Sequence, residues 1–512
     1  MSCANAVAVV SRILLAAALG ASHVRAQEGA EPPRSAPVPS AEEPQGALYD
    51  TLVLRNVRLI DGVGNPPRGD VHVVVKGDRI AKITSGWMPI ERAGEGSYRV
   101  IDGQGLSLMP GLVDLHGHIH FRAGDAKLPE GYVYKLWLGH GITTIRDPAC
   151  GEGLERIAEE SRRSESGELV APAIVPYAVF PAERAATAEE VDPIVAELAR
   201  KGARGLKVFA LHPDIYQALG VSAARHGLPI ATDLKIGEVD ARMAAGYGIR
   251  TLEHWYGIPD AALRGVQRFP PEYDWDDELQ RFRWAAELWP QADPAELEKL
   301  MELLLEKRVT LDPTFAVYEV NRDLERARNL PWLSTYAHPA LLAFFEPNPR
   351  NHASFHWEWT ALDEARWKEH YRHWMRFVRE YGRRGGRITI GSDAGYMYQL
   401  YGFGTIRELE MQLEAGFHPL EILRHATRNG ALALDLEDRG HVREGYRADL
   451  ILVDGDPLVD LKVLYGTGVR RLEAGRMVRR GGVRFTVKGG RVYDAPKLLA
   501  EVAALVAAAK GG

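Results

Sequence analysis

The sequence predicts an α/β protein: a (β/α)8 TIM-like barrel carrying a small discontinuous β-sandwich domain built from N- and C-terminal segments. Three observations predict it. Short β-rich runs lie near both ends of the chain, and apolar strands alternate with amphipathic helices between them. Alternation of this kind argues a parallel sheet. The 512 residues are too many for one ordinary core but suit a large barrel with additions.

Composition narrows the function classes. The chain is 46% hydrophobic and 26% charged, with Lys+Arg 63 against Asp+Glu 69 and a net charge of −6. Mild acidity with both signs interspersed is that of a soluble globular protein and excludes a nucleic-acid footprint. A small molecule is the expected partner. Assembly into homo-oligomers is left open.

Residues 1–26 read as a signal peptide. Arg12 precedes an apolar run over 13–21, and Val24, Arg25 and Ala26 offer a small-residue cleavage site before Gln27. The run is short for a bilayer span, which sets an uncleaved anchor aside. The expectation is a secreted or periplasmic protein with no membrane attachment in its mature form. Of the two cysteines, Cys3 and Cys150, only Cys150 would survive cleavage, so no intramolecular disulfide is expected. Cys150 reads as a buried small hydrophobe rather than a nucleophile. Residues 27–48 contain Pro32, Pro33, Pro37, Pro39 and Pro44 and read as a disordered linker.

The first part of the β-sandwich is assigned to 49–108, with strands at 51–60, 71–75 and 79–83. The barrel is assigned to 109–440. Its expected strands include 107–115, 141–145, 205–209, 228–232, 250–253, 309–315 and 387–391. Helices are expected at 187–201, opened by a Thr187/Glu190 capping box, and at 215–226, 239–246 and 295–307. A Trp-rich insertion at about 260–385 holds Trp275, Trp284, Trp289, Trp332, Trp357, Trp359, Trp367 and Trp374. Large aromatics usually serve packing; a lid over the substrate pocket is the alternative. The second part of the β-domain is assigned to 441–494, with strands at 448–454 and 483–487, and a C-terminal helix to 495–512.

The chemistry concentrates where the barrel begins. His116 and His118 follow an apolar strand at i and i+2, so on a strand both point to one face. Two imidazoles on one face at a strand's C-terminal end are a natural pair of metal ligands. His120 continues the alternation but falls beyond the short strand. No Gly-x-Ser-x-Gly, phosphate-binding or dinucleotide fingerprint stands in a fitting context.

At this point the sequence resembles the amidohydrolase superfamily, in the branch containing imidazolonepropionase-like proteins and secreted Xaa-Pro dipeptidases. The likeness is carried by Asn56 to Gly62, by Pro110 to His118, by Gly139 to Asp147, by Gly391-Ser392-Asp393-Ala394-Gly395, by Arg407 to Asn429, and by Gly445 to Asp454. It implies a metal-dependent hydrolase acting on carbon–nitrogen bonds, with one or two divalent ions such as Zn2+. His116 and His118 match the first-strand ligands and His254 the sixth-strand ligand. Lys207 matches a lysine that is carboxylated in binuclear members. Asp393 matches the eighth-strand aspartate, which touches metal and takes a proton from the attacking water.

One departure stands out. Where the family usually has a histidine at the end of the fifth strand, this chain has Asp233. Three readings are open: Asp233 is a ligand in a binuclear site; the second metal is weak or absent; or Lys235 pairs with Asp233 and leaves a mononuclear site. His212 and His226 are candidate substitutes, and Arg146 and Tyr134 candidate carboxylate binders. The implied function is hydrolysis of an amide bond in a dipeptide or N-acyl amino acid. Alternatives are cyclic-amide or imidazolone ring opening, and a non-catalytic ligand-binding barrel with a degraded metal site.

Overall fold

The computed structural model describes residues 44–86, 96–235, 238–274, 276–352 and 354–511. The expected signal peptide, most of the expected 27–48 linker and Trp275 lie outside the described residues. The last linker residues do not: Ala47–Leu48 pairs antiparallel with Arg491–Asp494, and Gly46 N donates to Val492 O at 2.9 Å. The apolar Ala47 and Leu48 find a sheet edge, so the linker ends earlier than its composition suggests.

Eight parallel strands follow one another around the sheet in chain order: Leu112–Asp114, Ile142–Asp147, Ala173–Val179, Gly205–Val208, Ile230–Thr232, Thr251–Glu253, Thr310–Asp312 and Arg387–Ile388. The first and eighth strands meet. Leu115 N donates to Ile390 O at 2.8 Å, Asp393 N to His116 O at 2.7 Å, and Gly117 bridges Ala394. A parallel sheet covered by helices buries both faces, so its strands read as apolar runs; every residue of Ile142–Asp147 is buried. Local signals start the helices. His212, Asp240, Asp293 and Thr360 each accept a backbone N–H at a helix start, and the Thr187/Glu190 capping box is present.

The outer strands from both ends of the chain join in one nine-stranded sheet. This differs from the expected sandwich. The reason lies in Leu106–Pro110, which pairs parallel with Thr51–Leu59 on one side and antiparallel with Leu450–Asp454 on the other, so hydrogen bonding runs through without a break. The chain passes from this sheet into the barrel at Gly111, slightly beyond the expected boundary at 108/109. A Cβ there would lie 2.2 Å from Thr143 Oγ1, so glycine is required by the close approach.

One hairpin, and the packing partner of the expected C-terminal helix, escaped the sequence reading. An exposed hairpin, Val469–Glu473 with Arg476–Arg480, stands as a separate two-stranded sheet. The terminal helix, Ala495–Gly511, packs on the first barrel helix, Tyr132–Gly139. No helix among the described residues is long and apolar enough to cross a membrane.

The insertion is helical, its longest element being Ala361–Arg383. Trp289, Trp367 and Trp374 are buried, and Trp367 stacks on Tyr318 with ring centroids 5.6 Å apart. These rings pack the helices to the barrel. Trp284, Trp357 and Trp359 are only partly buried.

Candidate metal centre

Five of the six nominated residues surround one space at the C-terminal ends of the barrel strands. His118 Nε2 lies 3.0 Å from Asp393 Oδ1, and His116 Nε2 lies 3.7 Å from the same oxygen. His254 Nε2 is 4.0 Å from Asp393 Oδ2 and 3.5 Å from Asp233 Oδ2. Two sets of three ligand atoms, His116/His118/Asp393 and His116/Glu253/His254, each converge within 4.8 Å. The donor set suits a divalent cation. His116 Nδ1 is buried without a hydrogen-bond partner.

The electrostatics agree. Burial holds His116 well below its usual pKa and His254 down to about 4, so both imidazoles are neutral and keep a lone pair. Burial pushes the Asp393 carboxyl up, but the hydrogen bond with His118 and the neighbouring basic groups His118, His254 and Lys207 outweigh it and hold the group below the ordinary carboxylate range.

Neighbouring side chains fix the orientation. Thr314 Oγ1 donates to the Pro313 carbonyl at 2.6 Å, so its contact with His254 Nδ1 at 2.5 Å must be one that His254 donates. That leaves the Nε2 lone pair facing the site. Asp114 Oδ1 accepts from the backbone N–H groups of His116 and Ser392, and Oδ2 from the hydroxyls of Ser392 and Thr405. One buried carboxylate thus ties the first-strand motif to the eighth. His254 and Asp393 both have left-handed backbone, with φ of 60° and 51°. Non-glycine residues hold that conformation at a cost of order 1–3 kcal/mol, so the surrounding structure imposes it.

Lys207 reaches the same level, but as an unmodified amine it pairs with Glu253. Burial brings its pKa down to about 8. Glu253 also takes Arg146, which lies 3.5 Å from Asp312. Two cations and two carboxylates therefore fill the barrel beneath the histidines, all essentially without exposure. Glu253, Asp312, Thr314 and Asp114 were missed in the sequence. The available signal was a carboxylate closing an otherwise apolar strand, at Glu253 and Asp312, which pair with each other in register.

Other nominations separate from the centre. His120 is in neither three-ligand group; its nitrogens meet the hydroxyls of Tyr401 and Tyr396, and burial lowers its pKa to about 3. His212 is an exposed helix cap, and His226 ends that helix beside Asp192. Lys235 does not neutralise Asp233: its backbone N–H donates to Asp233 Oδ1, while its ammonium lies 4.7 Å from the Phe209 ring centroid. Arg146 and Tyr134 are core groups, Tyr134 hydroxyl meeting Glu160, so neither faces a substrate. Cys150 is buried and its thiol is pushed up by burial, away from nucleophile behaviour.

Gly391 lies at the closest point of the assembly. A Cβ there would meet Asp312 Oδ2 at 2.5 Å and His116 Cβ at 2.8 Å. Gly391→Ala is expected to displace His116, destabilise the protein by about 1–3 kcal/mol, and lower bound metal per chain by elemental mass spectrometry. Metal content equal to wild type would contradict the packing argument.

Comparison with known proteins bears on this arrangement. Residues 359–492 match the model of the Amidohydrolase family. Adenine deaminase of Lysinibacillus sphaericus is 33% identical over 93 residues, 18% of this chain and 16% of that protein. Ochratoxinase of Aspergillus niger is 37% identical over 82 residues, 15% of this chain and 16% of that protein. The match thus spans only about a sixth of the length of these curated relatives. In fold the likeness is broad. The structure of a Xaa-Pro dipeptidase with bound methionine in the active site aligns with a TM-score of 0.60 at 19% identity, over 87% of this chain and all of the other. The A. niger ochratoxinase structure aligns with a TM-score of 0.58 at 20% identity, over 88% and 97% of the two chains. The chain is thus similar to the Amidohydrolase family over residues 359–492, and shares the fold of these structures over most of its length.

Proposed function

We propose that the protein is a metal-dependent hydrolase cleaving a C–N amide bond in small substrates, a dipeptide or an N-acyl amino acid. The observation that carries this is the convergence of His116, His118, His254, Asp233 and Asp393 on one space. Xaa-Pro dipeptidase and ochratoxinase structures among the fold neighbours support the substrate class. Export is proposed from the apolar run and cleavage site before Gln27.

His116, His118 and His254, with Asp393, would hold one Zn2+ or a similar divalent ion, and Asp233 a second. Bound there, such an ion polarises a carbonyl and brings the pKa of a coordinated water toward roughly 7. Asp393 would have the proton work: its ionised carboxylate is placed to take a proton from an attacking water and return it to the leaving nitrogen. Lys207 is proposed to join the pair as a carbamate, its amine adding CO2 and losing a proton, with Glu253 left to Arg146. An anion at that position suits two nearby cations better than an ammonium does.

Metal per chain, measured on the natural protein and on Asp233→His, tests the reading together with a panel of dipeptides and N-acyl amino acids. Two metals in the natural protein are expected. One metal rising to two in Asp233→His would make the natural site mononuclear. No metal in either after metal-replete expression would sink the hydrolase and leave a ligand-binding barrel.

A further inference from the structure

His120, next after the ligand pair, is held between two tyrosines. Its Nδ1 lies 3.0 Å from Tyr401 hydroxyl and its Nε2 3.2 Å from Tyr396 hydroxyl. The ring stacks behind His118, with centroids 5.9 Å apart and planes 5° from parallel. Tyr401 is fully buried, and its ring also packs against Trp137 and Tyr132. That end of the chain is therefore fixed by the core.

The other end faces the centre. Tyr396 follows Asp393 by three residues and is only partly buried. Its ring sits edge-on to both His118 and His120, each at 5.0 Å, and reaches Phe344 at 6.3 Å and His352 at 5.9 Å on the insertion. It forms the wall between the metal ligands and the inserted helices.

The proton count along this chain is restrictive. A neutral imidazole has one N–H and one acceptor nitrogen. If Tyr401 donates to Nδ1, the Nε2 N–H donates to the Tyr396 oxygen, and the Tyr396 proton is free to point outward. His120 is the one hydrogen-bond partner of the Tyr396 hydroxyl among the described residues, so that donor has no other claim on it. The groups beneath the site offer a substrate no donor: Arg146 is spent on Glu253 and Asp312, and Lys207 either pairs with Glu253 as an amine or, as a carbamate, is an anion.

We propose that the Tyr396 hydroxyl is the substrate-orienting donor of this site, holding an acceptor oxygen of the amide substrate, with His120 and Tyr401 as its positioning residues. The proposal rests on the hydrolase reading above and names a residue within it. The oxygen belongs either to a carbonyl beside the scissile bond or to a free carboxylate.

The test compares wild type with Tyr396→Phe, which removes one oxygen, on an N-acyl amino acid or dipeptide and on its C-terminal amide. KM is expected to rise about three- to tenfold, the size of one hydrogen bond, with kcat within about twofold and metal content unchanged. A rise on both substrates assigns the carbonyl; a rise on the acid alone assigns the carboxylate; a rise on neither overturns the proposal. His120→Leu should reproduce the KM change, and His120→Gln, whose amide places a polar atom near the Nε2 position, should restore most of it. Equal KM values for the Leu and Gln variants would overturn the positioning role. If the wild type hydrolyses no amide, the hydrolase reading fails by itself, and the comparison passes to calorimetric binding of an N-acetyl amino acid to metal-loaded protein. A Kd unchanged in Tyr396→Phe, or no binding by wild type, overturns the proposal there.

Discussion

Asp393→Asn is expected to lower kcat by about 10^3-fold, within the 10^2–10^4 range that a positioned general base contributes. Among the described residues Asp393 is the one carboxylate that approaches all three histidines, at 3.0, 3.7 and 4.0 Å. Its neighbours keep it ionised despite burial. An amide of the same shape accepts a hydrogen bond but takes no proton. The backbone should tolerate the change, because asparagine adopts the left-handed conformation, φ 51° here, better than most residues. The Asp393 N–H bond to His116 O does not involve the side chain. Turnover, metal content and thermal unfolding measured together separate the cases. Lost turnover with unchanged unfolding fits the base; retained turnover would move the base elsewhere and leave Asp393 a ligand only.

Arg146→Met should have the largest effect on stability. Arg146 is wholly buried, donates from Nε to Leu115 O at 2.5 Å, pairs with Glu253 and lies 3.5 Å from Asp312. Its guanidinium carbon also sits 5.0 Å from the Tyr177 ring centroid. Removing it leaves two buried carboxylates facing Lys207 alone. Breaking a buried pair on one side typically costs about 3–5 kcal/mol, because the remaining charge has neither water nor partner. Burial already raises Asp312 to about 7, so the network has little tolerance for losing a cation. Urea unfolding checks the value. The double variant Arg146→Met/Asp312→Leu should recover part of the loss, since Glu253 keeps Lys207 and Asp312 is the carboxylate left without a cation. If the double variant is no more stable than the single, the cost lies in packing against Tyr177 and in the Leu115 bond instead.

The sequence revealed the candidate metal ligands more readily than their supports. His116 and His118 follow from a period of two on a strand, although the strand itself ends at Asp114. That early end explains His120: alternation no longer governs it, and its partners lie about 280 residues away at Tyr396 and Tyr401. Lys207, Asp233, His254 and Asp393 came from family resemblance, and four of these six residues are drawn to the centre by strand ends far apart in sequence. Glu253 and Asp312 gave little signal because their partner, Arg146, is 107 and 166 residues distant. Such pairings have no local period. In the fold, helix caps and apolar strand runs were legible because their causes are local. The single outer sheet was not, because Leu106–Pro110 choosing a partner on each side is a tertiary decision.

That sheet has a consequence for the order in which the protein is made. Thr51–Leu59 and Leu106–Pro110 emerge early in synthesis, yet Leu106–Pro110 waits for Leu450–Asp454, and Ala47–Leu48 for Arg491–Asp494. During synthesis of the barrel the early strands present unpaired N–H and C=O groups, the kind of edge that recruits other chains. The outer sheet closes only after the residues up to Asp494 have been released. Truncation before Arg491 would therefore reopen an edge at Ala47–Leu48, far in sequence from the lesion.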